Sequence, residues 1–303
     1  MDKFEKVLVL GGSGFLGKSL RKFRPNWIYA GSHDCDLTDK NQCYDFFHEI
    51  NPDAIINLAA RVGGIKDNVN NQPDFYYVNS MIGLNVIHEA HKAKIPRVLS
   101  ALSTCCYPDI AEHYPMTEDD FMKGEPTPTN YGYGYAKRGL HIQSRFYSQF
   151  YNVNYTTFSL SNVYGPENDF YANTSHFVSS LIKKFYYAKD GDTLEFWGTG
   201  NALRQHLYVD DVSKVIIKLL DLHNSDIPIA LTPDENLSIR EIVELCKKTT
   251  GKNIKIVFNN ELTGQFRKDV SNKKLLELIG DYDFTSMKSG LKLTYDWYAR
   301  SVS

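Results

Sequence analysis

Tyr133-Gly134-Tyr135-Ala136-Lys137 places a tyrosine one helical turn before a lysine. On a helix the two side chains share a face. That arrangement suits proton transfer. A neighbouring ammonium favours phenolate, so a tyrosine that titrates near ~10 alone is expected to titrate lower here. The tyrosine can give its proton to a carbonyl oxygen as hydride reaches the carbon. The lysine can also hold a nicotinamide ribose. Tyr131 and Tyr135 lack the spacing to Lys137 and are assigned to packing or binding. By itself the pair reads more readily as an ordinary pair on a helix surface.

Ser103 changes that balance. It follows the apolar run Val98–Leu102, which reads as a strand. It therefore stands at a strand's carboxyl end, where open α/β sheets bind ligands. A serine there can hydrogen-bond a substrate carbonyl. Near the start of the chain, the strand Val7–Leu10 runs into Gly11-Gly12-Ser13-Gly14-Phe15-Leu16-Gly17. Gly11, Gly14 and Gly17 give GxxGxxG, the variant used by short-chain dehydrogenases. Glycine permits a tight turn and brings backbone N–H groups to a pyrophosphate at a helix N-terminus, here opened by Phe15 and Leu16. Gly17 is expected to let that helix lie close to the sheet. Asp36 and Leu37, after the second strand, are assigned to the same cofactor. The segment Gly31–Asp36 holds no Arg or Lys, and on residues alone it leaves NAD and NADP both open.

The elements that must position these groups follow a regular rhythm. Strands are expected at Val7–Leu10, Trp27–Ala30, Ala54–Leu58, Val98–Leu102 and Tyr155–Leu160. Helices are expected at Phe15–Phe23, Asn41–Ile50, Phe75–Ala93 and Gly132–Phe150. Strands separated by helices imply a doubly wound parallel sheet of Rossmann type. The stretch Pro108–Asn130 reads as a loop over the sheet edge. After Pro166 the alternation breaks up. Residues 1–165 are read as the dinucleotide-binding domain and 166–303 as a smaller α/β substrate lobe. Leu207–Leu222, a strand-plus-helix unit, is expected to return to the main sheet.

Bulk properties narrow the function. The chain has 303 residues with 42% hydrophobic and 23% charged, an ordinary globular composition. A net charge of −2 without a basic run argues against a nucleic-acid partner. No apolar stretch reaches the ~18 residues of a membrane helix, and no signal peptide is read. The five cysteines are odd in number and lack zinc-like spacing, so no metal is expected and a reducing cytoplasm fits.

The sequence resembles the extended short-chain dehydrogenases, and within them the epimerase–reductases of the GDP-L-fucose synthase family. The resemblance rests on Asn57-Leu58-Ala59-Ala60-Arg61-Val62-Gly63-Gly64, Leu102-Ser103-Thr104-Cys105-Cys106-Tyr107-Pro108 and Tyr133–Arg138. It continues through Asn162–Phe170, Trp197–Asn201 and Arg204-Gln205. Cys105 then matches the family's epimerisation base and His176 its acid partner. Residues alone would make Cys105 a small buried hydrophobe and His176 a helix-start residue after Asn173-Thr174-Ser175. Cys106 is expected to be structural.

The resemblance implies NADPH, with NAD(H) an alternative, and a GDP-linked 4-keto-6-deoxy sugar. Leu58, Ala59, Ala60, Asn162 and His176 join the cofactor set. Arg204 and Lys268 match diphosphate contacts, Trp197 is placed near guanine or sugar, and Lys184 is a weaker phosphate candidate. Both C3 and C5 flank the C4 ketone, so loss of either proton gives an enolate stabilised through that ketone. Tyr133 and Ser103 would steady the oxyanion in both phases. Bacterial members of the family tend to carry arginines where this chain has Ser13 and Ser32. Related enzymes that act on UDP- or dTDP-linked keto sugars, and a non-catalytic dinucleotide-binding protein, are the alternatives. The resemblance also implies a homodimer through the two long helices.

Overall fold

The computed structural model describes residues 3–170, 176–259 and 265–302. The run Asn173-Thr174-Ser175 lies outside the described residues. Six parallel strands form the main sheet in the order β2-β1-β3-β4-β5-β9. They are β1 (Val7–Leu10), β2 (Ile28–Ala30), β3 (Ala54–Asn57), β4 (Arg97–Ser103), β5 (Asn154–Leu160) and β9 (Ile229–Leu231). The chain steps one way from β1 to β2 and the other way to β3. That reversal opens a crevice between the carboxyl ends of β1 and β3.

These strands are mostly buried because helices cover both faces. On one side lie α2 (Lys40–Ile50), α4 (Gln72–Lys92) and α5 (Tyr131–Tyr151), with the short α3 (Ile65–Asn70) leading into α4. On the other lie α1 (Phe15–Phe23) and α7 (Val209–Leu222). Each element expected before residue 160 forms with its ends moved by a few residues at most.

The second half builds around β6 (Asn162–Tyr164), β8 (Leu203–Tyr208) and β10 (Asn236–Ser238), a small sheet of its own. A two-stranded pair joins β7 (Thr193–Phe196) to β11 (Lys255–Phe258). Helices α6 (Phe177–Tyr187), α8 (Ile239–Thr250) and α10 (Met287–Val302) close a separate apolar core there. The α9 helix (Lys273–Ile279) packs toward α7 and β9. The Leu207–Leu222 unit divides. Its helix, α7, covers the main sheet, but its strand residues pair with β6 rather than with that sheet. The sixth strand of the main sheet is β9, a three-residue run too short to announce itself by pattern.

One polar group inside this framework has no sequence signature. Arg97 is 1% exposed at the amino end of β4. Its guanidinium donates to Leu219 O (3.1 Å), which also accepts from His223 N, and to Leu220 O (3.0 Å), both in the last turn of α7. It also donates to Asn154 O (3.0 Å) and Thr156 Oγ1 (2.7 Å). A cation here satisfies the helix end and complements its dipole. Arg97→Met removes the donor to Leu220 O and to Thr156 Oγ1 in a buried setting, while Leu219 O keeps its bond from His223 N. It is expected to lower unfolding free energy by ~3 kcal/mol, at ~1–3 per stranded group, read from chemical denaturation. An unchanged midpoint would show the contacts to be incidental.

Candidate active site

The cofactor end is shaped by close backbone approach. Gly11 has φ +78°, and a Cβ there would lie 2.9 Å from Ala59 N. A Cβ on Gly17 would lie 2.6 Å from Gly11 O, so it is the glycine turn itself that packs against this helix. Gly12 N donates to Ala30 O, fixing the turn to β2. The helix start at Gly14 has no side-chain cap and no acidic residue in the first turn. Those open N–H groups suit a pyrophosphate, and the Leu58-Ala59-Ala60 stretch walls the crevice beside them. At the adenosine end, Asp34 accepts from Gly31 N (2.7 Å), and Asp36 accepts from Thr38 N (2.9 Å) and Thr38 Oγ1 (2.7 Å). Leu37 O accepts from Asn85 (3.0 Å), tying this loop to α4.

The chemistry sits where β4 ends. Ser103 caps the turn Thr104–Cys106, its Oγ accepting from Cys105 N at 3.1 Å. Arg138, one residue past Lys137, is buried and donates through Nε to Cys106 O (2.7 Å) and through its other nitrogens to Gly124 O and Lys123 O. The α5 helix thus grips the cysteine turn and presents Tyr133 and Lys137 beside it. Lys137 Nζ donates to Ala101 O (3.0 Å) and lies 5.9 Å from the Tyr133 ring centroid.

Titration here departs from the sequence expectation. Tyr133 is pushed up, not down. Burial dominates, and the neighbouring Cys105 and Cys106 add to it. Lys137 is turned onto a backbone carbonyl, and burial lowers its own pKa to about 8, with Cys106 resisting. The phenol therefore stays protonated and is a donor rather than a phenolate.

The two adjacent cysteines separate cleanly. Cys106 is wholly buried, and burial pushes it up to about 12. Cys105 keeps an edge open to the cleft. Burial would raise it too, but the Lys268 ammonium, hydrogen bonds with Ser103 and Lys268, and the Arg204 guanidinium together hold it below the usual thiol range. Lys268 Nζ stands 3.1 Å from the sulfur. Asn130 Nδ2 approaches it at 3.6 Å.

A second group comes from the other lobe. Arg204 donates to Leu203 O (2.7 Å) and Gln265 O (2.7 Å). In β8 next to it, buried His206 is lowered to about 3 by burial and then by Arg204, with His176 also contributing. His176 is the exposed N-cap residue of α6, and desolvation of its ring lowers it against the pull of Asp169. Asn162 pairs with His206 in register and donates to Gln205 O (3.1 Å). A run of mutually interacting groups therefore leads from Cys105 through Arg204 and His206 to His176. Trp197 is exposed, with Lys66 Nζ 5.8 Å from its ring. Lys184 is turned away onto Glu195 O (2.9 Å) and the Phe196 ring. Asn130, His206 and Lys66 were not singled out by sequence. Asn130 directly precedes the tyrosine–lysine helix, and that adjacency was the one signal available.

The model of the NAD dependent epimerase/dehydratase family matches residues 7–230. The chain belongs to that family. It is 33% identical to a GDP-L-fucose synthase of Dictyostelium discoideum, over 96% of this chain and 94% of that protein. It is 34% identical to a probable GDP-L-fucose synthase of Drosophila melanogaster, over 97% of each. Among solved structures it superposes on a GDP-L-fucose synthetase from Naegleria fowleri bound to NADP. That match has a TM-score of 0.91 at 29% identity, covering 100% of this chain and 94% of the other.

Lys137 carries its proton below about 8 and loses it above. If its ammonium orients the cofactor, kcat/KM for ketone reduction should be flat at neutral pH. It should then fall about tenfold per pH unit on the alkaline side, since that parameter reports the free enzyme. A plateau extending past pH 10 would contradict the assignment.

Proposed function

We propose that this chain is a bifunctional NADPH-dependent 3,5-epimerase and 4-reductase that converts GDP-4-keto-6-deoxy-D-mannose to GDP-L-fucose. One observation carries the reading. A thiol biased toward thiolate shares a turn with Ser103, and Arg138 ties that turn to the helix that carries Tyr133. A simple reductase has no use for a base beside its proton donor. The names of the relatives give the same chemistry.

In the epimerase phase, Cys105 takes a proton from the carbon beside the ketone and becomes a neutral thiol. The electron pair enters an enolate whose charge rests on the C4 oxygen. Ser103 and Tyr133 hydrogen-bond that oxygen. His176 supplies a proton from the opposite face. In the reductase phase the cofactor supplies hydride to C4. Tyr133 gives its proton to the oxygen, while Lys137 steadies the ribose side. Arg204 and Lys268 hold the diphosphate, the planar guanidinium suiting a phosphate. Trp197 borders the guanine or sugar, and Lys184 is the weaker phosphate contact. Asp36, Leu37 and Leu58–Ala60 complete the cofactor site.

Three broader assignments accompany this. Residues 1–165, rejoined by α7, form the cofactor domain, and 166–303 the substrate lobe. Two copies associate through α4 and α5, whose outer faces expose Tyr76, Tyr77, Leu84, Ile142 and Phe146. All five cysteines are free, which suits a reducing cytoplasm. No helix among the described residues is long and apolar enough to cross a membrane.

The direct test is NADPH consumption with GDP-4-keto-6-deoxy-D-mannose, alongside thermal stabilisation by GDP, UDP and dTDP. Turnover with stabilisation by GDP alone is expected. Stabilisation by UDP or dTDP but not GDP would move the substrate class.

The adenosine end generates a second prediction. Ser13 and Ser32 offer hydroxyls where a 2′-phosphate would sit, and the Asp34 carboxylate lies nearby on Gly31. Ser32→Arg adds a charge-assisted contact of ~1.5–3 kcal/mol. The NADPH/NADH ratio of kcat/KM should rise by about tenfold or more. No change would place the 2′-phosphate elsewhere.

A further inference from the structure

Lys268 is assigned by resemblance to the substrate diphosphate, yet its ammonium stands on the Cys105 sulfur at 3.1 Å. The backbone that carries it is held on both sides. Met116 N donates to Asp269 O (2.9 Å) and Ser271 N to Met116 O (2.8 Å). Val270 N donates to Gln205 Oε1 (2.9 Å), and Leu203 N to Phe266 O (2.9 Å). The Arg267 guanidinium forks onto Asp269 at 2.6 and 2.9 Å. The segment is thus stitched to the 108–130 loop and to β8 at once. That leaves the lysine little choice of direction. Around the sulfur, the charged and titratable groups among the described residues are Lys268, Arg204 from β8, Tyr133 from α5 and Cys106 from the same turn. Ser103 and Asn130 supply the neutral contacts. The two cations are the groups that favour a negative sulfur, and Lys268 alone touches it.

We propose that Lys268 is a positioning residue for the epimerase base: its ammonium keeps Cys105 ionised before substrate arrives and fixes the direction of the sulfur. Carbon acids beside a ketone need a base already free of its proton. A buried thiol without a cation would be neutral and inert. The pair is net neutral, which permits its burial. The link to epimerisation rests on the function proposed above; the ionised sulfur does not.

The test separates the two. The other four cysteines are buried, so iodoacetamide on the intact ligand-free protein should modify Cys105 selectively, followed by peptide mass spectrometry. In the native chain the alkylation rate should rise with a midpoint below the ~8.5 of a free thiol. Lys268→Met should move that midpoint up by a unit or more and slow labelling at pH 7 about tenfold. Lys268→Arg should keep it low. Lys268→Gln makes the same comparison if the methionine variant does not fold. With the keto sugar, the acid limb of solvent deuterium exchange at C3 and C5 should shift up in parallel. A phosphate contact alone would raise KM and leave that limb in place. Equal labelling midpoints in the native chain and Lys268→Met would overturn the proposal. Shifted labelling without turnover of the sugar would keep the ion pair and refute the function.

Discussion

A buried guanidinium joins the two halves of the chemistry. Arg138 lies on α5 directly after Lys137 and donates to the carbonyl of Cys106. The helix that carries Tyr133, the proposed proton donor, is thereby bonded to the turn that carries Cys105, the proposed base. Its remaining donors take the carbonyls of Lys123 and Gly124, so the loop over the sheet edge is gathered onto the same side chain. That loop in turn pairs with the segment bearing Lys268 through Met116. Loss of this one hub would loosen the spacing between Tyr133, Ser103 and Cys105 together.

Placement alone would leave two protonated, inert groups. The electrostatics divide their labour. Tyr133 is pushed up by burial and keeps its proton. Cys105 experiences the same burial but faces Lys268 and Arg204, and is held down. Two neighbouring groups with pKa values driven in opposite directions fit the acid and base roles proposed for them. Cys106 is the internal control: Lys137 and Arg138 pull it down only weakly, no ammonium touches its sulfur as Lys268 touches that of Cys105, and burial raises the thiol to about 12. His206 shows the cost on the other side, since burial, with Arg204 adding to it, disfavours its charged form.

Much of the fold was legible because parallel strands buried on both faces write themselves as apolar runs. Val7–Leu10, Ala54–Asn57 and the β4 run all read that way. The three-residue β9 was not, because its place depends on β5 and not on its own pattern. Tyr133, Lys137 and Ser103 were legible by spacing along one helix and one strand end. The pull on the tyrosine was read with the wrong sign, since sequence shows a lysine one turn away but not that its ammonium turns to Ala101. Lys268 lies 163 residues from Cys105, and no local signal links them. Arg97 and Arg138 were silent because their partners are mainly backbone carbonyls, which carry no residue identity.

The central claim is that one site holds a base for epimerisation apart from a proton donor for reduction. The decisive measurement is made on Cys105→Ser in deuterated water, with GDP-4-keto-6-deoxy-D-mannose and, separately, with the already epimerised ketone. The account predicts no deuterium at C3 or C5 of the first substrate and continued hydride transfer to the second. Deuterium incorporation at the native rate, or equal loss of both activities in a folded variant, would contradict it.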